Sequence, residues 1–524
     1  MIFLSANRNS QGLYEQLVKA RYTVPMNSAR IQSPGPTSRL SLAAGNDLPT
    51  RVGGSASLQG EATRLGIDPR LRTLSENSLV VAVLSPFIAL TAGYVPRILL
   101  AIIILDIPFQ FGTHLFYREV EAARGALGGL SISATTIALA GLYVSWFIRS
   151  QANRSSDARP SFHINLPLLL YLAITAISVA VAQDVTLSLF EVALLLEACL
   201  VYFYVANNVR TRRDVVYVVS LLLIACLLVS LANIILQFTG MPSTLWGAPT
   251  QIQIEADPSQ RFMRIGGTIG SPNFAASYFS ISLASAASIL FANLGRALKW
   301  LAISVLGLGG VALIFTFSRG GWIATALAVA LICLLGCRRR GFSLKTPIAL
   351  IVILGMLCLP FQNVISARLL DDDKGSALSR IPLMKLALRI FEDNPVLGVG
   401  ANNFTVVMDR YLTSDFREGW LFAVHNKYLL VLAETGIVGL LAFLAFFLDF
   451  LRKGWQCWVQ RDSLLSPLAL GFAAGIAGHM VHMSVDVFRG RPTQQLLWLV
   501  AGLLTAMLRI CKLRPTADPF SYIT

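Results

Sequence analysis

Four basic side chains are candidates for chemistry because of their types and their neighbours. Arg319 lies in a glycine-containing turn, and Arg380 and Arg389 share one amphipathic segment. His425 directly precedes Asn426. A guanidinium group binds phosphate oxygens through paired hydrogen bonds and stays charged at ordinary pH, and an imidazole, with an unperturbed pKa near ~6.5, can accept the proton of a sugar hydroxyl. Near a membrane surface, these groups suit the attack of an acceptor hydroxyl on a sugar whose leaving group is a lipid pyrophosphate.

Long apolar runs indicate the elements that carry these residues. The chain of 524 residues is 55% hydrophobic and 14% charged, whereas soluble domains carry roughly 25% charged residues. Many runs reach the roughly 20 residues that cross a hydrocarbon core as a helix, and lipid offers the backbone of a span no other partners. The sequence therefore predicts an all-α integral membrane protein with about twelve transmembrane helices. The predicted spans are 78–113, 128–148, 164–183, 186–206, 214–239, 271–293, 298–317, 320–337, 346–361, 428–451, 464–485 and 493–509.

The basic residues between the spans indicate the orientation. One alternating set of short connections is rich in Arg and Lys, and cytoplasmic loops carry such an excess. We therefore expect this set and both termini to be cytoplasmic, and the segments 240–270 and 362–427 to face outward. This distribution relates the net charge of +15 to membrane lipids, and no nucleic-acid partner is expected. The basic connections are 149–159, 210–213, 296–299, 338–345, 452–461 and 509–514.

The composition divides the chain into three parts. Residues 1–75 are rich in Ser, Gly, Pro and Arg without a sustained apolar period, which predicts a disordered basic cytoplasmic tail without a cleavable signal peptide. Residues 76–514 are the predicted polytopic membrane domain, and residues 515–524 are a short cytoplasmic tail. The long outer loop 362–427 contains the segment 379–391, whose apolar spacing predicts an amphipathic helix on or near the membrane.

The spacing around His425 resembles a motif of the O-antigen ligase family. His425-Asn426 is followed by nine residues and then by Gly436-Ile437-Val438-Gly439, which matches the family pattern. The resemblance covers roughly residues 128–510, and the superfamily also contains polysaccharide polymerases and protein O-oligosaccharyltransferases. Further stretches that resemble family landmarks are Ser318-Arg319-Gly320, Gly270-Ser271-Pro272-Asn273 and Pro395–Phe404.

The resemblance implies an activity and roles for particular residues. It implies a metal-independent, inverting membrane glycosyltransferase without a cofactor, which takes a glycan from undecaprenyl pyrophosphate on the periplasmic face of the inner membrane. The acceptor would be a hydroxyl of another glycan or of a lipid core. By resemblance, Arg319 and Arg380 would hold the pyrophosphate and His425 would serve the acceptor hydroxyl. The further candidate substrate-binding residues are Arg389, Arg264, Asn426 and Asn403.

The sequence leaves two other activities possible. A polymerase of the same superfamily would join repeat units to one another, and the sequence does not separate it from a ligase. A secondary transporter would share the number of spans and the buried charges, although two repeated halves with broken helices are not found in the sequence.

Several polar groups also have structural interpretations. Each arginine or histidine above could instead anchor or cap a helix end. His479, His482 and Asp486 share one predicted helix face and invite a metal site, but polar support behind the active site is favoured because no fourth ligand is apparent. Asp371–Asp373 is interpreted as a solvated turn, and Glu434 lies inside a predicted span without an identifiable partner.

Overall fold

The apolar runs of the sequence form long helices. The structure is a computed structural model, and it describes residues 94–152, 163–240, 244–245, 248–249, 251–254, 263–338, 345–370, 380–413 and 421–513. The predicted tails 1–75 and 515–524 lie outside these residues, and so does the acidic turn 371–373.

Helices dominate the described residues, and short antiparallel strand pairs join some of them. The helices are α1 (94–109), α2 (Glu119–Ala123), α3 (Ala134–Ala152), α4 (Leu166–Ile177), α5 (Val185–Asn208), α6 (Arg212–Thr239), α7 (Pro272–Ile289), α8 (Arg296–Phe315), α9 (Arg319–Cys337), α10 (Lys345–Cys358), α11 (Gln362–Leu370), α12 (Arg380–Asp393), α13 (Phe404–Val407), α14 (Lys427–Val459), α15 (Leu465–His482) and α16 (Arg491–Lys512). The strand pairs are β1 (Gly112–Leu115) with β2 (Leu130–Ser133), β3 (Thr244–Leu245) with β4 (Ala248–Pro249), and β5 (Gln251–Ile254) with β6 (Met263–Gly267).

Seven of the described helices are long and apolar enough to cross a membrane: α5, α6, α8, α9, α14, α15 and α16. Three shorter apolar helical stretches, Ala134–Arg149, Leu166–Val181 and Pro347–Phe361, also coincide with predicted spans. The prediction of a helical membrane protein is confirmed, whereas the count of about twelve spans remains a prediction.

Helix α7 lies at the centre of the helix bundle. It packs against α8, α9 and α15, and nearly all of its side chains are buried. Most of these side chains are Ala or Ser, because only small residues let several helices approach one axis closely. This small-residue content lowers its hydropathy, and α7 is accordingly absent from the seven helices that are long and apolar enough to cross a membrane, although a span is predicted at 271–293.

Helix α14 is interrupted at Gly436. The backbone there has φ 67° and ψ −170°, a conformation that glycine adopts without a steric cost. The interruption frees backbone groups, and the segment 395–400 bonds to them: Val399 N donates to Ala433 O (3.0 Å), Gly400 N donates to Glu434 O (2.9 Å), and Ile437 N donates to Pro395 O (2.9 Å). The loop before His425 is therefore joined to the helix after it.

Helix α12 is the amphipathic helix expected in segment 379–391. Its apolar face is buried within the protein, with Leu383, Leu386 and Ile390 almost fully buried, and it forms a small core with Phe404 and Val424. The apolar spacing thus reflects packing against the start of α14 and the preceding loop. That the loop faces outward remains a prediction.

Candidate active site

A cavity of about 1310 Å³ is enclosed by elements that lie far apart in the sequence. The β1–β2 hairpin and its connection form one wall, and the segment 268–274 at the start of α7 forms another. The remaining wall residues come from α3, α5, the start of α12, and the segments 422–425 and 486–492, together with Gln110 after α1 and Arg264 of β6. Of the residues predicted to bind substrate or act in catalysis, Arg264, Arg380 and His425 line this cavity.

His425 lies two residues before α14, outside the helix, and its ring is half-buried. The ring of Phe422 packs against it at 5.1 Å between centroids. Burial lowers the pKa of the imidazole, the nearby Asp486 carboxylate raises it, and the Arg380 guanidinium lowers it again. Because the net direction is downward from 6.5, His425 is neutral at neutral pH and can accept a proton.

Arg264 is fixed by a chain of hydrogen bonds that ends at Asp486. Its Nη2 donates to Asn273 Oδ1 (3.0 Å) and its Nε donates to Thr316 O (3.2 Å). Asn273 Nδ2 in turn donates to Asp486 Oδ2. Asn273 is held in place because Ser271 caps α7 and Pro272 occupies its first position. The Gly270–Asn273 stretch thus places an amide between a guanidinium and a carboxylate.

Arg380 is the first residue of α12, and its Nη1 donates to Val485 O at 3.2 Å. Val485 directly precedes Asp486, so this bond holds the start of α12 against the segment that follows α15. Arg264 and Arg380 are named the cationic cluster from here on. Arg264 reaches Asp486 through Asn273, Arg380 bonds to the neighbouring Val485, and the charge of Asp486 acts on His425. A dianionic group can be bound by two guanidinium groups in such an arrangement, while the neutral imidazole accepts a proton.

Arg319 is the first residue of α9 and is half-buried, but it is not part of the cavity lining. Its neighbour Ser318 caps α9 and contacts His482 Nε2 through Oγ at 3.3 Å. A Cβ on Gly320 would lie 2.5 Å from the His482 ring. The Ser-Arg-Gly turn is therefore packed directly against the end of α15.

The other three predicted binding residues make structural contacts outside the cavity lining. Arg389 Nη1 donates to Tyr411 O (3.2 Å) and Thr413 Oγ1 (3.0 Å). Asn426 caps α14 by accepting from Leu429 N at 3.1 Å. Asn403 is fully buried, and it bonds to both backbone groups of Asp184, to Ser188 Oγ and to Ala401 O.

Residues 281–444 match the family model of O-antigen ligase. This stretch, about a third of the chain, is similar to the O-antigen ligase family. The match contains Arg319, Arg380 and His425, whereas Arg264 and Asp486 lie outside it. No curated protein matches the chain.

The cavity also has lining residues that the sequence analysis missed. Arg489 is 4% exposed and pairs with Glu434 inside the protein, and its Nη1 donates to Asn402 Oδ1 at 3.0 Å. Arg491 lies 3.6 Å from Asp106 Oδ2. Both arginines fall between two predicted spans, and the only signal in the sequence was the lone Glu434, which required a partner.

His479, His482 and Asp486 each bond to a different partner. His479 Nδ1 bonds to Ser277 Oγ at 2.7 Å, His482 contacts Ser318, and Asp486 accepts from Asn273. Within the described ranges, no group of three His, Cys, Asp or Glu side chains is arranged to hold a metal ion. These contacts connect the end of α15 and the residues after it to α7 and to the start of α9.

Proposed function

We propose that this membrane protein of the O-antigen ligase superfamily transfers a glycan from undecaprenyl pyrophosphate to an acceptor hydroxyl. The observation that supports this most is the meeting of Arg264, Arg380 and His425 at one cavity. Two permanent cations suit a pyrophosphate, and a histidine with a lowered pKa suits a hydroxyl group that must lose its proton.

The proposed reaction is an inverting substitution at the anomeric carbon of the donor sugar. The acceptor oxygen attacks this carbon while the bond to the pyrophosphate oxygen breaks, and its electron pair leaves with the pyrophosphate. Arg264 and Arg380 stabilise the charge that develops on the leaving group. The hydroxyl proton goes to His425, and Asp486 stabilises the imidazolium that forms. No metal ion or cofactor takes part in this scheme.

We also propose that Arg319 acts on the pyrophosphate as a third guanidinium. Its neighbour Ser318 contacts His482, and Asp486, four residues after His482, lines the cavity. The place of Arg319 outside the cavity lining predicts a smaller contribution than that of Arg380. We therefore expect Arg319→Gln to raise the KM for the donor less than Arg380→Gln does, and an equal or larger effect would assign Arg319 direct contact with the pyrophosphate.

The proposal also includes the orientation in the membrane. The cavity would open on the outer face of the inner membrane, with both termini, the tail 1–75 and the tail 515–524 in the cytoplasm. The basic connections between the spans support this orientation.

The surface glycan of a deletion strain, complemented with wild type or with His425→Ala, tests the proposal. Full-length glycan retained on the lipid carrier in the variant would indicate a ligase, whereas single repeat units would indicate a polymerase. Identical surface glycan with both alleles would contradict the proposal, and uptake by vesicles that survives His425→Ala would then favour a transporter. Comparable amounts of both proteins in the membrane are the control.

A further inference from the structure

A second, much smaller cavity lies inside the helix bundle between α4, α5, α14, α15 and α16. Its volume is about 30 Å³, and every residue that lines it is buried. We name it the inner cavity. Most of its wall is aromatic or aliphatic, and its polar groups belong to Tyr171, Glu191, Lys427, His479, Thr493 and Gln494. An ammonium and a carboxylate at this depth are costly, and they therefore indicate a function.

Several polar groups of the inner cavity lack partners within the protein. Glu191 Oε2 and Thr493 Oγ1 are buried without a hydrogen bond among the described residues. The Lys427 ammonium has no ion pair or hydrogen bond with that part of the chain, although the charge of Glu191 acts on it. Lys427 and Glu191 are each only 7% exposed. Since buried polar groups are almost always paired with protein or ordered water, a bound molecule must complete this site.

The size and the charge of the inner cavity both favour water as this molecule. A water molecule needs roughly 10–15 Å³ of such volume, so the inner cavity has room for about two. Three charges act on Lys427, namely those of Arg489, Glu191 and Glu434. Together with Lys427 they sum to zero, and a bound ion of either sign would disturb this balance. Water donates and accepts hydrogen bonds, so it can bridge an ammonium, a carboxylate and a hydroxyl.

The inner cavity adjoins the two segments that carry His425 and Asp486. Lys427 is the first residue of α14, two residues after His425, and its backbone N donates to Met483 O at 2.8 Å. Met483 directly follows α15, lines the inner cavity and precedes Asp486 by three residues. A bridge that holds the Lys427 side chain therefore also holds the backbone contact between the segment of the imidazole and that of the carboxylate.

We propose that the inner cavity binds about two ordered water molecules, which bridge Lys427, Glu191 and Thr493. Through this bridge, Lys427 is a positioning residue for His425. The role of Lys427 rests on the proposed function, whereas the water site does not. Lys427 lies outside the lining of the active-site cavity and acts only through geometry. A displacement of a reacting group by about 1 Å can lower a rate ~100-fold, so the bridge controls the rate of the transfer step.

Radiolytic labelling of the full-length wild-type protein in phosphatidylcholine nanodiscs tests the water site. X-rays convert a bound water molecule into a hydroxyl radical, which oxidises the side chain beside it. Met483 lines the inner cavity and Met507 lines neither cavity, and both are buried, at 2% and 0% exposure. We expect mass spectrometry to show Met483 oxidised about tenfold faster than Met507. Equal rates would overturn the water site, because the inner cavity would then be dry.

Substitutions test the positioning role, with the lipid-linked glycan that the deletion strain accumulates as the donor. Lys427→Met removes the charge at nearly the same length, and Glu191→Gln removes the opposite charge. We expect each to lower kcat about tenfold, which corresponds to ~1.4 kcal/mol. The KM for the donor should stay unchanged, because Arg264 and Arg380 remain in place. Lys385→Met is the matched control and should keep the wild-type kcat, since Lys385 is exposed on α12 and lines neither cavity.

The double variant Lys427→Met/Glu191→Gln distinguishes a shared bridge from two separate effects. If water joins the two groups, the double variant should lose no more activity than Lys427→Met alone. Additive losses, or a wild-type kcat in both single variants, would overturn the positioning role. Thr493→Val changes no charge and little volume, so it serves if a charge variant fails to fold. It should also lower kcat at an unchanged KM, and a wild-type kcat would contradict the bridge.

The two measurements separate this inference from the proposed function. If the wild-type protein transfers no glycan, the proposed function fails and the role of Lys427 fails with it. Fast oxidation of Met483 would still establish the water site in that case. If the wild-type protein transfers glycan but Met483 is oxidised as slowly as Met507, the inference alone fails.

Discussion

The imidazole of His425 lies in the field of two opposite charges. The Asp486 carboxylate favours its protonated form and the Arg380 guanidinium favours its neutral form, after burial has already lowered its pKa. A histidine that acts as a base works only when neutral, so activity falls as the pH drops through this pKa. Removing either charge should therefore move the acid limb of the pH profile, and the two removals should move it in opposite directions.

We expect Asp486→Asn to move the acid limb of kcat/KM to lower pH, because the charge that favours the imidazolium is lost. Arg380→Gln should move it to higher pH, because the charge that opposes protonation is lost. The measurement is kcat/KM of the purified protein against pH with a lipid-linked donor. Asp409→Asn is the control, because Asp409 pairs with Arg124 outside the cavity lining and should leave the limb in place. A shift of the acid limb in the same direction in both variants would contradict this account.

The pair of Arg489 and Glu434 makes a prediction about stability. Both side chains are almost fully buried, at 5% and 7% exposure, so removing the charge of Glu434 leaves the buried Arg489 guanidinium without its ion-pair partner. We expect Glu434→Gln to cost roughly 3–5 kcal/mol of the free energy of unfolding, measured by denaturation in detergent. Asp409→Asn breaks the half-exposed pair with Arg124 and should cost less than about 1 kcal/mol. Similar losses in the two variants would show that the buried pair adds no more than a surface pair.

At the scale of elements, the interruption of α14 explains the first glycine of the motif after His425. A Cβ on Gly436 would lie 2.1 Å from Val396 O, and the positive φ adds a strain of its own. The three hydrogen bonds from segment 395–400 would not survive this displacement. The first glycine of the motif thus allows segment 395–400 to bond to α14, close to His425 at the start of that helix.

We expect Gly436→Ala to abolish surface glycan while the protein still inserts in the membrane. The reason is that segment 395–400 must move, and α12 and the segment before His425 share its small core. Surface glycan and membrane abundance are measured together in the complemented strain. Gly307→Ala on α8 is the matched control, because no atom lies within 4 Å of its added Cβ. Normal glycan with Gly436→Ala would mean that the interruption is dispensable.

The sequence predicts much of this arrangement, and its failures have physical reasons. Arg264, Arg380 and His425 are identified by residue type and motif, and they meet at one cavity. The pairing of Arg489 with Glu434 joins positions 55 residues apart, and no local pattern reports such a distance. The interruption at Gly436 lies within a continuous apolar run, so the predicted span 428–451 reads as one helix. The predicted span 128–148 begins too early, because Leu130–Ser133 pair with β1 before α3 starts.

At the scale of the whole molecule, the orientation is the prediction with the widest consequences. If the basic connections are cytoplasmic, a fluorescent protein fused after Thr524 should fluoresce, and alkaline phosphatase inserted at residue 416 should be active. Phosphatase inserted at residue 210 should be inactive and provides the control. The opposite pattern would place the cationic cluster on the cytoplasmic side and would contradict the proposed orientation.

The joint at Gly436 and the β1–β2 hairpin differ in what their movement would require. The joint, which lies outside the cavity lining, is held by three backbone hydrogen bonds, and opening it would leave the buried amides of Val399 and Gly400 without acceptors. The hairpin side is tied by Arg118 to Asp184 and by Arg124 to Asp409, and both arginines are 36% exposed. Ions in solution weaken such partly exposed pairs and leave interior amide bonds unchanged. We therefore expect reactants and products to exchange past the hairpin, and the rate of their release to rise with ionic strength.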